Sequence, residues 1–119
     1  MTTRQIGQEG EEQAAEFLRA KGYKIIARNF LIPGGELDIV AYDKKTLVFA
    51  EVKTRASNAF GGPVAAVTRT KQKRVARAAA QFLKAKSPKF DSIRFDVICV
   101  LPQGIEHIPN AFVPDRNTL

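Results

Sequence analysis

The chain has 119 residues, 45% of them hydrophobic, and its 19 Lys and Arg outweigh 12 Asp and Glu to give a net charge of +7. That length fits residues 1–119 forming one domain whose single core buries roughly two-thirds of its surface, and the basic balance favours polyanionic partners. The single cysteine, Cys99, excludes an internal disulfide framework; no apolar run approaches the ~18 residues of a membrane span and the N-terminus lacks a signal-peptide core, so a cytoplasmic protein without membrane contact is expected.

Thr2 and Gln5 have capping-box spacing at the start of a first helix, which runs to about Lys21 and is ended by Gly22. Ile6, Gly10, Ala14, Phe17 and Leu18 form one apolar stripe. Glu11 sits at the edge of that stripe, the acid able to look inward, where on structure alone it only borders the core, whereas Glu12 and Glu16 point away from it. Tyr23 to Phe30 reads as a first strand, and Ile32-Pro33-Gly34-Gly35 as a turn.

The next stretch carries the most chemistry. Gly35-Glu36-Leu37-Asp38-Ile39-Val40 and Phe49-Ala50-Glu51-Val52-Lys53 read as two apolar strands that contain acidic residues. If Lys44-Lys45 is the tip of a two-residue hairpin, position 43 pairs with 46. Asp38 then falls opposite Glu51, and Glu36 opposite Lys53. Directly paired residues share a face, so the four groups converge on one side of the sheet. Two facing carboxylates repel unless a cation or proton lies between them, and a hard divalent metal with a lysine beside it fits that place. Lys-Lys is a poor type I′ turn, and a longer loop would slip the register. The plain alternative is a solvated ladder of cross-strand ion pairs. The strongly apolar neighbours Leu37, Ile39, Val40, Leu47, Val48 and Phe49 favour buried carboxylates over that alternative.

Ala56 to Pro63 is a loop by composition; it lacks the Gly-Lys-Ser/Thr of a nucleotide-binding loop, and reads either as a segment closing over DNA or as a connector. A second helix starts with Thr68 or Thr70 as cap and ends before Ser87-Pro88, with Val75, Ala78, Ala79, Phe82 and Leu83 as its core stripe. Its first half is densely basic: Arg69, Lys71, Lys73, Arg74 and Arg77. Positive charge at a helix N-terminus opposes the helix dipole, which points to phosphate contact rather than to a merely solvated face. Lys71, nearest the helix start, is best placed to reach the acidic hairpin. Ile93 to Val100 is a strand in which Asp96 pairs with a lysine or arginine rather than a metal. Gly104 to Phe112 is a last strand or an edge extension, with Pro109 favouring the edge. His107, the only histidine, lacks partners for zinc and is expected at the surface. Pro114 to Leu119 reads as a loose tail. The order αβββαβ implies a mixed α/β domain with a central sheet flanked by helices.

Gly35-Glu36-Leu37-Asp38 with Glu51-Val52-Lys53-Thr54-Arg55 resembles the core of the PD-(D/E)xK nucleases. More closely, the chain resembles the YraN-like group of predicted bacterial endonucleases, itself similar to the archaeal Holliday junction resolvases. The resemblance extends over Gly7, Gly10, Glu11 and Ala14, Asn29, Phe60-Gly61-Gly62-Pro63, Lys71 and Phe95-Asp96-Val97. It implies a restriction-endonuclease-like fold and metal-dependent hydrolysis of DNA. Asp38, Glu51 and the Val52 carbonyl would hold Mg²⁺ or Mn²⁺, and Lys53 would act on the attacking water. Glu11 would be the extra helical carboxylate of this class, and Glu36 an accessory group bound through water or paired with Lys53. Arg55 and the basic helix would position the DNA backbone. Nothing in the sequence reads bases, so selectivity for branched or junction DNA is expected over sequence specificity. The resolvase resemblance also implies a homodimer. Two readings of other classes stand beside it: a nucleic-acid-binding protein that keeps the fold without turnover, and a module whose acidic hairpin and basic helix dock other proteins.

Overall fold

The computed structural model describes residues 2–56 and 67–114. Helix α1 (Thr3–Ala20) leads into three antiparallel strands, β1 (Lys24–Ile32), β2 (Gly35–Asp43) and β3 (Thr46–Thr54). Helix α2 (Arg69–Lys86) crosses to β4 (Ser92–Leu101), which runs parallel to β3, and β5 (Gly104–Ile108) turns back along β4. The five strands lie in sheet order β1-β2-β3-β4-β5, giving the mixed sheet between two helices that a restriction-endonuclease-like core requires. The anticipated final segment is thus a short edge strand that stops before Pro109. None of the described helices is long and apolar enough to cross a membrane.

The local chemistry explains the boundaries. Thr2 and Gln5 form the capping box of α1, and Thr68 accepts from the Lys71 N–H to cap α2. Pro33-Gly34 alone makes the first hairpin turn, with Gly34 at φ +78°. Ile32 and Gly35 are therefore already a strand pair rather than part of the turn. At the second hairpin Asp43 does pair with Thr46 around Lys44-Lys45. Lys44 takes φ +56° there, and the Lys45 carbonyl is held by the Asp91 N–H at 2.9 Å. That outside support accounts for a tip of two lysines where Asn-Gly would be usual.

Among the described residues, one helix covers each face of the sheet. Under α2 lie Leu37, Val40, Leu47, Phe49 and Phe95, packed against Val75, Ala78, Ala79 and Phe82 of the helix. Under α1 lie Ile39, Ala41, Val48, Ala50 and Ile98, packed against Ala14, Ala15 and Leu18. Ile6 departs from the expected stripe and is 43% exposed, because it lies one turn before Gly10, where α1 first meets the sheet. Ala15 is fully buried in its stead.

The α1 face also encloses a polar network. Asp96 is fully buried; one oxygen accepts from Arg94 Nε at 2.8 Å and from the Asn110 N–H at 3.0 Å. The other accepts from Arg94 at 3.0 Å and is bonded to His107 Nε2 at 2.7 Å. Burial by itself would raise the Asp96 carboxyl, but the bonds from His107, Arg94 and Asn110 hold it below its usual range. Arg94 reaches further to Asp43 and to the Tyr23 hydroxyl, and Lys21 Nζ sits 2.8 Å from His107 Nδ1. The pairing of Asp96 with an arginine matches expectation. The surface placement of His107 does not: its side chain is only 3% exposed, because the β4–β5 register sets it opposite Ile98, beside Asp96.

Helix α1 approaches the end of β3 closely enough that a Cβ on Gly10 would run into Thr54 Oγ1. Gly10→Ala is therefore expected to cost about 1–3 kcal/mol in chemical denaturation, and Thr54→Ala should recover most of that loss in the double variant. Additive effects of the two changes would show that the contact is not what restricts position 10. Asp96→Ala takes the carboxylate partner from the buried His107 ring and one of two carboxylate partners from the half-buried Arg94, and should cost about 3–5 kcal/mol in the same assay; a loss under 1 kcal/mol would show that the network is not structural.

Candidate active site

β2 and β3 stay paired from Asp43–Thr46 up to Ile39–Ala50, and the next pair in that register is Asp38 with Glu51. There the strands part. Leu37 and Val40, three residues apart, both pack beneath α2, whereas Ile39 packs beneath α1. Strict two-residue alternation therefore fails across Asp38. The Val52 N–H, freed from the ladder, donates to Asp38 Oδ2 at 2.8 Å. A carboxylate thus stands where a backbone carbonyl would have continued the sheet.

The opening is a pocket of about 230 Å³ lined by Glu11, Glu36, Asp38, Glu51, Val52, Lys53, Lys71, Arg74 and Val75. Asp38, Glu51 and Lys53 are buried at 5%, 9% and 7% exposure, so the solvated ion-pair ladder is not what forms. Lys53 Nζ lies 3.1 Å from Glu51 Oε1. Burial, followed by the charge of Glu51, pushes the Asp38 carboxyl up to about 9, against the pull of the Val52 N–H. Glu11 is half-buried at the pocket wall, and its carboxyl is raised by burial and by the neighbouring Glu36. Glu12 faces away and bonds Arg28 at 2.8 Å. On the opposite wall the Lys71 amine is lowered, chiefly by its contact with the Lys53 ammonium.

The structure thus brings together Asp38, Glu51, Val52, Lys53, Glu11, Glu36, Lys71 and Arg74. It separates the other basic residues of α2. Lys71, Arg74 and Val75 stand at i, i+3 and i+4 and share the face turned to the pocket, whereas Arg69, Lys73 and Arg77 recur every four residues on an exposed stripe. That spacing is readable in the sequence, although the five basic residues were expected to act as one patch. Val75, expected only as core, lines the pocket as well. Arg55 is exposed just past β3, with its backbone N–H bonded to the Val100 carbonyl. The loop expected over 56–63 lies, apart from Ala56, outside the described residues, as does the tail beyond Pro114. Among the described residues no three His, Cys, Asp or Glu side chains form a ready-made metal cage.

Asp38 allows a test of the pocket's electrostatics. In an unfolded chain this carboxyl ionises near pH 4. With its folded value raised to about 9, the native state retains a proton that the unfolded state gives up, so stability falls as pH rises from about 4 toward 9. Asp38→Asn removes that loss. In EDTA the variant should melt above the wild type by an amount equivalent to about 1–3 kcal/mol at neutral pH, the gap widening from pH 5 to pH 8. A gap that does not change with pH would show that Asp38 ionises normally in the folded protein.

Residues 10–100 match the model of a family described as uncharacterised protein family UPF0102. The chain is 48% identical over 118 residues to a UPF0102 protein of Chlorobaculum tepidum, with 91% of this chain and 92% of the relative covered. It is 50% identical over 112 residues to one of Geobacter metallireducens, covering 90% and 91%. With a relative from Syntrophomonas wolfei it shares 47% identity over 113 residues, covering 92% and 98%.

Proposed function

This chain belongs to the uncharacterised protein family UPF0102, and we propose that it is a metal-dependent endonuclease that hydrolyses phosphodiester bonds in DNA, selecting branched or junction substrates by shape. The observation that carries the reading is the burial of Asp38 and Glu51 in one pocket with Lys53. Two carboxylates placed so closely, one of them shifted to about 9, are stabilised by a cation of high charge.

The donor set fits a hard divalent ion. Asp38 and Glu51 offer carboxylate oxygens and Val52 a backbone carbonyl, which suit Mg²⁺ or Mn²⁺ rather than the nitrogen and sulfur preference of zinc. Mg²⁺ is commonly held by one or two carboxylates together with substrate phosphate, so a third acidic ligand is not required. When bound, such an ion polarises the scissile phosphate and lowers the pKa of water beside it.

The chain's own residues supply the remainder. Lys53 orients the attacking water and offsets charge that develops on the phosphorane. Glu11 accepts a hydrogen bond from a pocket water, and Glu36 faces the same space. Lys71 and Arg74 hold the phosphate from the opposite wall, and Arg55, Arg69, Lys73 and Arg77 carry the flanking backbone outside the pocket. These contacts address phosphates, not base edges, which favours recognition of shape. Cutting a four-way junction takes two coordinated nicks, and a homodimer would provide them.

The test is a labelled panel of single-stranded, duplex, flap and four-way junction DNA with RNA alongside, incubated with Mg²⁺ or Mn²⁺. The wild type should cut at least one DNA species only with metal, and Lys53→Ala and Asp38→Asn should each lower the rate by about 10²-fold or more. Binding without cleavage under both metals would replace this reading with that of a non-catalytic nucleic-acid scaffold.

A further inference from the structure

The tip of the β2–β3 hairpin carries a second concentration of positive charge that the pocket does not use. It lies at the far end of the same two strands: Thr46 opens β3 and Glu51 stands five residues along it, a separation of roughly 17 Å at strand spacing. A groove of about 530 Å³ runs there between the hairpin and the segment leading into β4. Its basic residues are Lys24, Lys44, Lys45 and Lys89, and Asp91 is its one acidic residue. Among the described residues, none of these lysines forms an ion pair with a carboxylate.

The groove also presents an aromatic ring on a rigid mount. Phe90, a large apolar side chain, is 41% exposed and lines the groove together with the four lysines and Tyr42. The segment that carries it is tied to the hairpin on both sides. The Tyr42 hydroxyl donates to the Lys89 carbonyl at 2.7 Å, and the Asp91 N–H donates to the Lys45 carbonyl at 2.9 Å. Thr46 and Ser92 bond through their hydroxyls at 2.8 Å just beyond. An exposed ring whose flanking backbone is already ordered can stack on a flat partner at little further entropic cost.

Unpaired lysines around an exposed, fixed aromatic ring match the chemistry of a nucleic-acid strand whose bases are free to stack. In such a complex phosphates would meet the ammonium groups and one base would lie on the Phe90 ring. A duplex keeps its bases stacked inside and has no equivalent use for the ring. We propose that the hairpin tip is a second binding surface, which takes an unpaired stretch of nucleic acid while the pocket at the other end of β2 and β3 engages the backbone. The inference shares with the proposed function the premise of a nucleic-acid partner, but it does not depend on cleavage.

The experiment is fluorescence anisotropy in EDTA with labelled single-stranded and duplex oligonucleotides. Phe90→Ala should weaken single-strand binding by about 5- to 150-fold with little effect on duplex, and Phe90→Tyr should restore it. The double variant Lys44→Glu/Lys45→Glu should weaken single-strand binding and make its logarithmic salt dependence shallower by roughly 1.4, from two lost phosphate contacts. Lys71→Glu/Arg74→Glu, at the pocket, provides the comparison, and circular dichroism checks that all variants are folded. Wild-type single-strand affinity in both the Phe90 and hairpin-lysine variants overturns the proposal; if the Lys71 and Arg74 variant alone then loses binding, the pocket reading stands without it. A hairpin variant that keeps nucleic-acid binding but no longer binds anionic phospholipid vesicles also overturns it, and assigns the groove to lipid. Weakened binding in the hairpin variants of a protein that cuts nothing with metal supports the second surface while the catalytic reading fails.

Discussion

The pocket originates where β2 stops pairing with β3. Up to Ile39–Ala50 the two strands satisfy each other's backbone, and beyond that point the Val52 N–H turns to the Asp38 carboxylate. A buried N–H without an acceptor would cost on the order of 1–3 kcal/mol, so the side chain closes what the ladder leaves open. The same event draws a carboxyl group into the sheet beside Glu51. Charge burial and strand separation are thus one feature, and the raised Asp38 carboxyl is its electrostatic consequence.

The helices set what surrounds that feature. Helix α1 can lie against the end of β3 because Gly10 leaves room for Thr54, and the next residue, Glu11, is thereby carried to the pocket wall. Helix α2 comes just as close on the other face: a Cβ on Gly35 would stand 2.7 Å from the Arg74 carbonyl. That approach lays Lys71 and Arg74 over the carboxylates. The pocket therefore has an acidic floor, with Lys53 within it and the side chains of Lys71 and Arg74 above.

The opposite face shows how similar groups behave when they serve structure. Asp96 is as deeply buried as Asp38, yet its carboxyl is held below the usual range because Arg94, His107 and the Asn110 N–H all bond to it. Among the described residues Asp38 has one backbone donor, the Val52 N–H, and three acidic neighbours, Glu51, Glu36 and Glu11, and its carboxyl moves the other way. The direction of the shift follows from the partners each carboxyl meets, donors at Asp96 and acids at Asp38, more than from burial alone.

Much of this was legible in the chain itself. The hairpin register, the Thr2–Gln5 box, the Thr68 cap and the amphipathic stripe of α2 follow from turn length and residue period, which depend only on near neighbours along the sequence. Asp38, Glu51 and Lys53 could be placed together for that reason. Other features came only with the tertiary structure. The division of the α2 cations between pocket and solvent depends on which side of the helix meets β2, and the contact of Lys71 with Lys53 joins elements far apart in sequence. His107 was misplaced because its partners, Asp96 on the neighbouring strand and Lys21 at the end of α1, come to it only through packing. Sequence by itself determined the elements and the residues able to do chemistry, since period and turn geometry are local; burial, and with it the ionisation of each carboxyl, was decided by the tertiary structure, because desolvation depends on everything that packs around a group.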